Sequence, residues 1–191
     1  MKTVLIAGAG SGIGRGLSLA LAGKGHAILV TDLNRRAAEE TLSPLRPAGD
    51  SSAHALDVSS EPDVQRFMAE IAGRRADVLI NNAGLQHVAR LEEFPQERWD
   101  TVSNVILRGT CLMTRAVLPQ MRKSGFGRII NIGSIHSLVA SAYKTAYVAA
   151  KHALIGFSKV IARETADVDI TINTICPSYV RTPLMEAQIK S

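Results

Sequence analysis

Two tyrosines and two lysines stand close together in the stretch NIGSIHSLVASAYKTAYVAAK, residues 131–151 of a chain with only three tyrosines. Tyr147 and Lys151 are four residues apart, so on a helix their side chains share one face. A free tyrosine has a pKa of about 10 and is a poor base near neutral pH. A nearby ammonium and a helix N-terminus would both lower the pKa of Tyr147. The pair therefore predicts a general base.

Ser134 stands thirteen residues before Tyr147, directly after a predicted strand. From there its hydroxyl can hydrogen-bond the same substrate oxygen as the tyrosine, from another direction. A solvated Tyr/Lys pair and a turn serine are the bland alternative, which would usually be correct for a lone YxxxK. Here three independent features converge on one edge of one predicted sheet.

A glycine-rich turn follows the first predicted strand, with Gly8, Gly12 and Gly14 in a GxxxGxG spacing. Glycines there remove the Cβ atoms that would hold a pyrophosphate away from the backbone N–H groups, and a helix N-terminus favours the anion. The spacing is neither GxGxxG nor a P-loop. Alone, this turn leaves a tight strand-to-helix connection open as an alternative.

Asp32 closes the second predicted strand, where an acidic side chain accepts hydrogen bonds from an adenosine ribose. A carboxylate there repels a 2′-phosphate, so NAD is favoured over NADP. Ser11 agrees, because a basic side chain could have met that phosphate at this position. A turn or capping aspartate is the alternative, and Arg35 and Arg36 leave NADP open.

Composition excludes several classes of function. The 191 residues are 46% hydrophobic and 20% charged, as in a globular domain with a sizeable core. The net charge of +5 comes from scattered basic residues, which argues against nucleic acid. Cys111 and Cys176 lack CxxC or His-rich neighbours, so neither a metal site nor a disulfide is expected. MKTVLIAG is too short for a signal peptide or a membrane span, and we expect a cytoplasmic protein with no membrane partner.

The elements that must position these residues alternate between strands and helices, which predicts an α/β, doubly wound parallel sheet of the Rossmann type as a single domain, 1–191. Right-handed crossovers favour the strand order 3-2-1-4-5-6. The predicted strands are 3–7, 27–31, 53–56, 78–80, 128–132 and 171–175. The predicted helices are 12–24, 35–45, 61–74, 100–123 and 143–165. Pro119 should bend the fourth helix or end it early.

Taken together, these motifs resemble the short-chain dehydrogenase/reductase family over the entire chain. Asp57-Val58, Asn81-Asn82-Ala83-Gly84 and the run from Pro177 to Thr182 follow in the family's order. The resemblance implies that Asp57 and Val58 flank the adenine, that residues 81–84 line the ribose region, and that Thr182 meets the nicotinamide carboxamide. The cofactor contacts that it implies are Gly8, Ser11, Gly12, Ile13, Gly14, Asp32, Leu33, Asp57, Val58, Asn81, Ala83, Gly84, Tyr147, Lys151, Pro177, Val180 and Thr182.

Within the family, the stretches 84–87, 127–141, 146–160 and 175–189 resemble the bacterial branch that oxidises D-3-hydroxybutyrate to acetoacetate. That resemblance implies Ser134, Tyr147 and Lys151 as catalytic residues and NAD as hydride acceptor. It implies substrate contacts from Gln86, Ser134, His136, Lys144, Tyr147 and Gln188. A small hydroxy acid offers little apolar area, so its carboxylate must be held by charge-assisted hydrogen bonds.

The sequence departs from the family at several points. Ile106 aligns with an asparagine that helps place a relay water, and Asn104 cannot replace it because two residues along a helix rotate the side chain by about 200°. We therefore expect slowed chemistry. Ser178, Tyr179 and Ala7 are milder departures.

Family members also continue past residue 191 with further helices and a seventh strand, so we expect an exposed sixth-strand edge and an incomplete substrate lid. The resemblance implies a homo-oligomer, a tetramer in the family. Two other functions stay open: a short-chain reductase of another small hydroxy or keto compound, and a weakly catalytic or non-catalytic nucleotide-binding subunit.

Overall fold

One parallel sheet organises the part of the chain that the computed structural model describes, residues 1–45, 49–183 and 185–186. Its strand order is β3-β2-β1-β4-β5-β6, as predicted. The strands are β1 (Thr3–Ala7), β2 (Ala27–Asp32), β3 (Ser52–Ala55), β4 (Val78–Asn81), β5 (Phe126–Ile132) and β6 (Asp169–Ile175). The reversal of strand order lies between β1 and β4, so the two halves of the sheet meet there.

Helices cover both faces of this sheet. They are α1 (Gly12–Gly23), α2 (Arg35–Leu42), α3 (Glu61–Glu70), α4 (Gln96–Ser103), α5 (Gly109–Ser124) and α6 (Thr145–Glu164), with a π-helical segment at Asn104–Arg108 between α4 and α5. Among the helices described, none is long and apolar enough to cross a bilayer.

Two hydrophobic layers form because successive strand side chains point to opposite faces. Leu5 of β1 packs with Phe67 of α3 and Met113 of α5 on one face. Ile6, its neighbour, packs with Ala38 of α2 on the other. The central strands are therefore mainly apolar, and the polar residues that could act chemically lie at or after the strand ends.

The fourth predicted helix differs most from its expectation. It begins at Gln96, contains the π-helical segment, and continues through Pro119 to Ser124. Of the two effects predicted for Pro119, an early end is wrong because the helix continues to Ser124, and a bend stays a prediction. Pro119 and Arg115 both lie on the exposed side, where water can bond the carbonyl that a proline N–H cannot reach.

Candidate active site

The glycine turn between β1 and α1 is shaped for close approach. Gly8 has φ +70°, and a Cβ there would lie 2.7 Å from the Ala83 Cα. A Cβ on Gly10 would lie 2.7 Å from a carboxylate oxygen of Asp32. A Cβ on Gly14 would collide with the Gly8 carbonyl oxygen. Glycine is therefore required by the geometry of the turn itself, which leaves its backbone open to a phosphate.

A cleft of about 350 Å³ lies along the carboxyl ends of the strands, next to this turn. Thirteen of the predicted cofactor residues line it: Gly8, Ser11, Gly12, Ile13, Asp32, Leu33, Asp57, Val58, Ala83, Gly84, Tyr147, Lys151 and Thr182. The lining residues that the sequence did not indicate are Leu56, Leu85, Val105, Ile132, Gly133 and Pro183. Asn82 also lines the cleft; it was predicted as part of the ribose region but not as an individual contact. The cleft therefore runs from the end of β2 to α6, across both halves of the sheet.

Four predicted cofactor residues lie elsewhere. Gly14 lies beneath the glycine turn, and Pro177 and Val180 line a second cavity. Asn81 is buried, and its amide nitrogen donates to the Asn131 side chain at 2.8 Å, so it ties β4 to β5. Asn82 occupies the position in the cleft that was expected for Asn81. Asn82 is the first residue after β4, and that position could have identified it.

Asp32 braces the turn that it faces. One carboxylate oxygen accepts the Gly10 N–H at 2.9 Å, and the other accepts the Asn34 N–H at 3.0 Å. The two arginines that kept NADP as an alternative each pair with a glutamate one helical turn further along α2. Arg35 bonds Glu39 at 2.9 Å, and Arg36 bonds Glu40 at 3.0 Å.

The predicted catalytic residues meet at the other end of the cleft. Ser134 follows β5, and its hydroxyl accepts the His136 N–H at 3.1 Å while also hydrogen-bonding Tyr147. Lys151 is 4% exposed, and its ammonium donates to the Ile132 carbonyl oxygen at 2.5 Å. The Lys151 nitrogen lies 5.6 Å from the centroid of the Tyr147 ring.

The pKa of Tyr147 departs from its expected direction. Burial raises the pKa of the Tyr147 phenol, and the Ser134 hydrogen bond lowers it only in part. Burial also lowers the pKa of Lys151 to about 8, opposed by the charge of Cys176. The expected lowering of the tyrosine pKa is therefore wrong for the protein alone, because loss of water outweighs a lysine whose ammonium is bonded to Ile132.

A second, smaller cavity of about 120 Å³ lies beyond Tyr147. Its polar lining contains five of the six predicted substrate residues: Gln86, Ser134, His136, Lys144 and Tyr147. Gln188, the sixth, lies outside the described residues. The side-chain nitrogens Gln86 Nε2 and His136 Nδ1 are buried, with no hydrogen-bond partner in the described part of the chain. No Asp or Glu lines this cavity among those residues, so a lysine faces it without a neighbouring carboxylate.

Ile106 and Lys151 both lie close to Gly84. It is 1% exposed, and its Cγ1 lies 3.8 Å from where a Gly84 Cβ would stand, with the Lys151 ammonium 3.9 Å from the same point. Its carbonyl oxygen accepts the Thr110 hydroxyl at 2.7 Å. Asn104 is exposed, so it does not replace an asparagine at that position.

Comparison with known proteins agrees with this geometry. A family model described as short chain dehydrogenase matches residues 2–191. The chain belongs to the short-chain dehydrogenase family. A D-beta-hydroxybutyrate dehydrogenase from Cupriavidus necator is 44% identical over the whole of this chain and 75% of its own length. One from Rhizobium meliloti is 48% identical over 71% of this chain and 54% of its own. A D-threitol dehydrogenase from Mycolicibacterium smegmatis is 38% identical over 96% of this chain and 72% of its own.

Short-chain dehydrogenases are oxidoreductases that use a nicotinamide cofactor, and the cleft fits one. Its glycine turn gives the pyrophosphate access to backbone N–H groups, and Asp32 at one end suits a ribose. Tyr147 and Lys151 line the other end, and Ser134 lies in the second cavity, which Tyr147 also lines. The arrangement therefore suits acid–base chemistry beside a dinucleotide.

Proposed function

We propose that this protein oxidises a short 3-hydroxy acid, D-3-hydroxybutyrate in the first place, with NAD as acceptor and acetoacetate as product. The observation that carries the proposal is the cavity of about 120 Å³ in which Lys144, His136 and Gln86 surround one side of Tyr147. A water occupies about 30 Å³ in the liquid, so this volume suits a molecule of a few heavy atoms. The two relatives named for the same reaction support the choice.

In this proposal the cavity holds the acid by its carboxylate. Lys144 supplies a positive charge, and Gln86 and His136 add polar side chains to the lining. A neutral analogue would leave the Lys144 charge without a partner, which disfavours its binding. Selectivity for an acid therefore follows from a lysine that lines the cavity without a neighbouring carboxylate in the described part of the chain.

At the reacting carbon, Ser134 and Tyr147 both hydrogen-bond the hydroxyl oxygen. Tyr147 acts as the phenolate, takes the hydroxyl proton and becomes a neutral phenol. Lys151 stabilises that phenolate before the proton is transferred, and it would hold the nicotinamide ribose. The nicotinamide, when bound along the cleft, supplies the hydride acceptor. Because burial raises the pKa of Tyr147, the phenol must lose its own proton before it can accept the proton of the substrate.

NAD is proposed over NADP from the end of β2. Both Asp32 oxygens accept backbone N–H groups, so the carboxylate is fixed where a 2′-phosphate would lie. Arg35 and Arg36 each pair with a glutamate instead of facing the turn. Titrating NADH and NADPH tests this: NADH should bind at least about tenfold tighter, a difference of 1.4 kcal/mol. Equal affinities would contradict it.

A weakly catalytic nucleotide-binding protein is the second candidate, and Ile106 favours it. An apolar side chain beside Lys151 leaves no polar group at that position to pass a proton onward. Binding of NADH without turnover of any hydroxy acid would select this candidate. The intact Ser134, Tyr147 and Lys151 favour the enzyme.

A cytoplasmic location is also proposed. A homo-oligomer is proposed as well, and by family resemblance it would be a tetramer. Val160 of α6 is an exposed apolar residue on a helix that would face a partner copy. Light scattering of the purified protein measures the assembly directly. A monomer at micromolar concentration would contradict it.

The deciding experiment follows NADH absorbance with D-3-hydroxybutyrate, L-3-hydroxybutyrate and uncharged 2-butanol. The D-acid should be oxidised fastest. Lys144→Ala should lose most of that activity through a higher KM, whereas Lys159→Ala, which changes an exposed lysine of α6, should not. Equal rates with the acid and with 2-butanol would show that the substrate's carboxylate is not recognised. They would favour another small hydroxy compound as the substrate.

A further inference from the structure

Tyr143 has an unusual backbone conformation. Its φ of 65° makes it the one residue other than glycine with positive φ in the described part of the chain. Such a conformation is rare for a bulky side chain, and it persists only where the surroundings hold it. Its ring is 53% exposed, so core packing does not account for the strain.

A single backbone hydrogen bond holds this turn. The Ala89 N–H donates to the Tyr143 carbonyl oxygen at 3.0 Å. Ala89 lies in the loop after β4, three residues beyond Gln86, and Tyr143 directly precedes Lys144. The bond therefore ties together the two loops that carry Gln86 and Lys144 to the substrate cavity.

No capping hydrogen bond fixes the direction of the Lys144 side chain. It stands at the N-cap of α6 with φ −120° and ψ 35°, and its side chain makes no capping bond. The backbone of the preceding residue consequently sets where its side chain leaves the chain. If Tyr143 returned to an ordinary negative φ, the path of the chain into α6 would change at Lys144.

We propose that Tyr143 is a positioning residue: its left-handed backbone, held by Ala89, places the Lys144 ammonium opposite Gln86 across the substrate cavity. This inference rests on the proposed function, since it concerns the grip on the carboxylate. The carboxylate-binding side chains lie at a fixed distance from Ser134 and Tyr147. That distance determines which carbon of a hydroxy acid carries the hydroxyl that reaches Ser134 and Tyr147. The strain at Tyr143 thus serves selection of a short 3-hydroxy acid.

Two pairs of variants test the proposal, each with a matched control. Ala89→Pro removes the N–H that holds the turn, and Ala89→Ser keeps it. Tyr143→Val disfavours the left-handed conformation because valine is β-branched, and Tyr143→Gly accepts it. KM and kcat for D-3-hydroxybutyrate are measured for all four variants, together with the dissociation constant for NADH and the melting temperature.

Ala89→Pro and Tyr143→Val should raise the KM for the acid about tenfold with kcat and NADH affinity little changed, as expected for loss of substrate binding alone. Ala89→Ser and Tyr143→Gly should keep the wild-type KM, and Tyr143→Gly should melt no lower than wild type because it relieves the strain. A general folding defect would instead lower kcat, NADH affinity and melting temperature together.

Wild-type KM in Tyr143→Val would overturn the positioning role and leave the proposed function intact. An equal rise of KM in Tyr143→Gly would overturn it too, because the ring and not the backbone would then matter. If Ala89→Pro does not fold, the Tyr143 pair decides alone. A wild type that oxidises no hydroxy acid overturns the proposed function and this inference with it.

Discussion

At the scale of single residues, Tyr147 and Lys151 show that burial acts on the two members of the proposed catalytic pair in the same sense. It raises the pKa of the phenol and lowers that of the ammonium to about 8, so each is pushed toward its neutral form. The free protein therefore keeps Tyr147 protonated near neutral pH. Tyr147 must lose its own proton before it can accept one from a substrate.

Tyr147→Phe removes the proton acceptor and little else. The variant should fold and bind NADH as wild type does, and it should lose turnover by about a hundredfold or more, the usual contribution of a general base. Steady-state kinetics with D-3-hydroxybutyrate and an NADH titration measure the two properties. Retention of most activity would remove Tyr147 from its assigned role.

Lys151→Met should make the protein more stable while abolishing activity. The folded pKa of Lys151 lies below its ordinary 10.5, so the buried ammonium destabilises the fold below pH about 8, and this penalty is relieved as pH rises toward 10.5. At pH 7 we expect the free energy of unfolding to rise by about 1–3 kcal/mol. The gain should shrink as pH rises from about 8 toward 10.5.

Urea unfolding at pH 7 and pH 10 measures that gain. Lys159→Met, which changes an exposed lysine on the same helix, is the control and should be near neutral at both pH values. A variant less stable than wild type at pH 7 would show that the hydrogen bond to Ile132 outweighs the burial of the charge.

At the scale of elements, the π-helical segment between α4 and α5 contains the residue that lies near Gly84, on the side of the cleft that Lys151 lines. Ile106 of this segment is buried beside Gly84, and Asn104 is exposed to solvent. Single-turn π segments inside α-helices are frequent at functional sites. The segment therefore places an apolar side chain where the family resemblance predicts an asparagine.

Ile106→Asn should raise kcat for D-3-hydroxybutyrate several-fold, because it returns a polar group beside the lysine that can hold a relay water. Asn104→Ala, at the exposed position of the same segment, should leave kcat unchanged. Comparison of the two variants at saturating substrate measures the effect. No gain with Ile106→Asn would mean that the proton leaves by another route.

A partly buried polar network around His54 ties α3 to the edge strand β3. His54 is 7% exposed, and its ring accepts or donates at 2.7 Å with Ser52 and at 2.9 Å with Glu70. It also meets the Phe67 ring edge-on, with ring centroids 5.3 Å apart. The network thus anchors β3, the edge strand. β3 pairs with β2, the strand that ends at Asp32.

His54→Ala should destabilise the protein by about 2–3 kcal/mol, since it removes two hydrogen bonds and leaves a cavity over Phe67. His152→Ala, at an exposed position of α6, is the control and should change stability by less than about 0.5 kcal/mol. Urea unfolding measures both. A neutral His54→Ala would show that the network adds no net stability.

Strand order could be predicted from the sequence because it depends on local pattern, whereas the catalytic role of Ser134, Tyr147 and Lys151 stays a prediction. Strand ends fall within two residues of their predicted positions, and the crossover rule orders the strands. The π-helical segment could not be predicted, since it depends on packing against α6. Asn81 and Asn82 were indistinguishable until the end of β4 placed one inside the sheet and the other in the cleft. The direction of the Tyr147 pKa required knowledge of its burial.

At the scale of the whole molecule, the cleft crosses the line where the two halves of the sheet meet, between β1 and β4. Its lining runs from Asp32 at the end of β2 to Lys151 of α6. A ligand that spans it binds only the folded arrangement of both halves, so it should stabilise the protein as a unit.

Saturating NADH should raise the free energy of unfolding by about 2.7 kcal/mol at a hundred times its dissociation constant. For a chain of this size, that corresponds to a rise in melting temperature of about 5–10 °C. Differential scanning fluorimetry with NADH, and with NMN as a half-length control, measures the shift. An equal shift with NMN would show that the β2 end of the cleft takes no part.

The double role of Asp32 has a consequence for evolutionary change. Its carboxylate braces the β1–α1 turn through Gly10 and also holds the chain that enters α2 through Asn34. A protein that evolves to use NADP by replacing Asp32 would lose the hydrogen bond to Gly10. The same turn that must bind the added phosphate would then be less stable. Such a change of coenzyme therefore requires a second, compensating substitution nearby, and ancestral intermediates that carry only the first should be fragile.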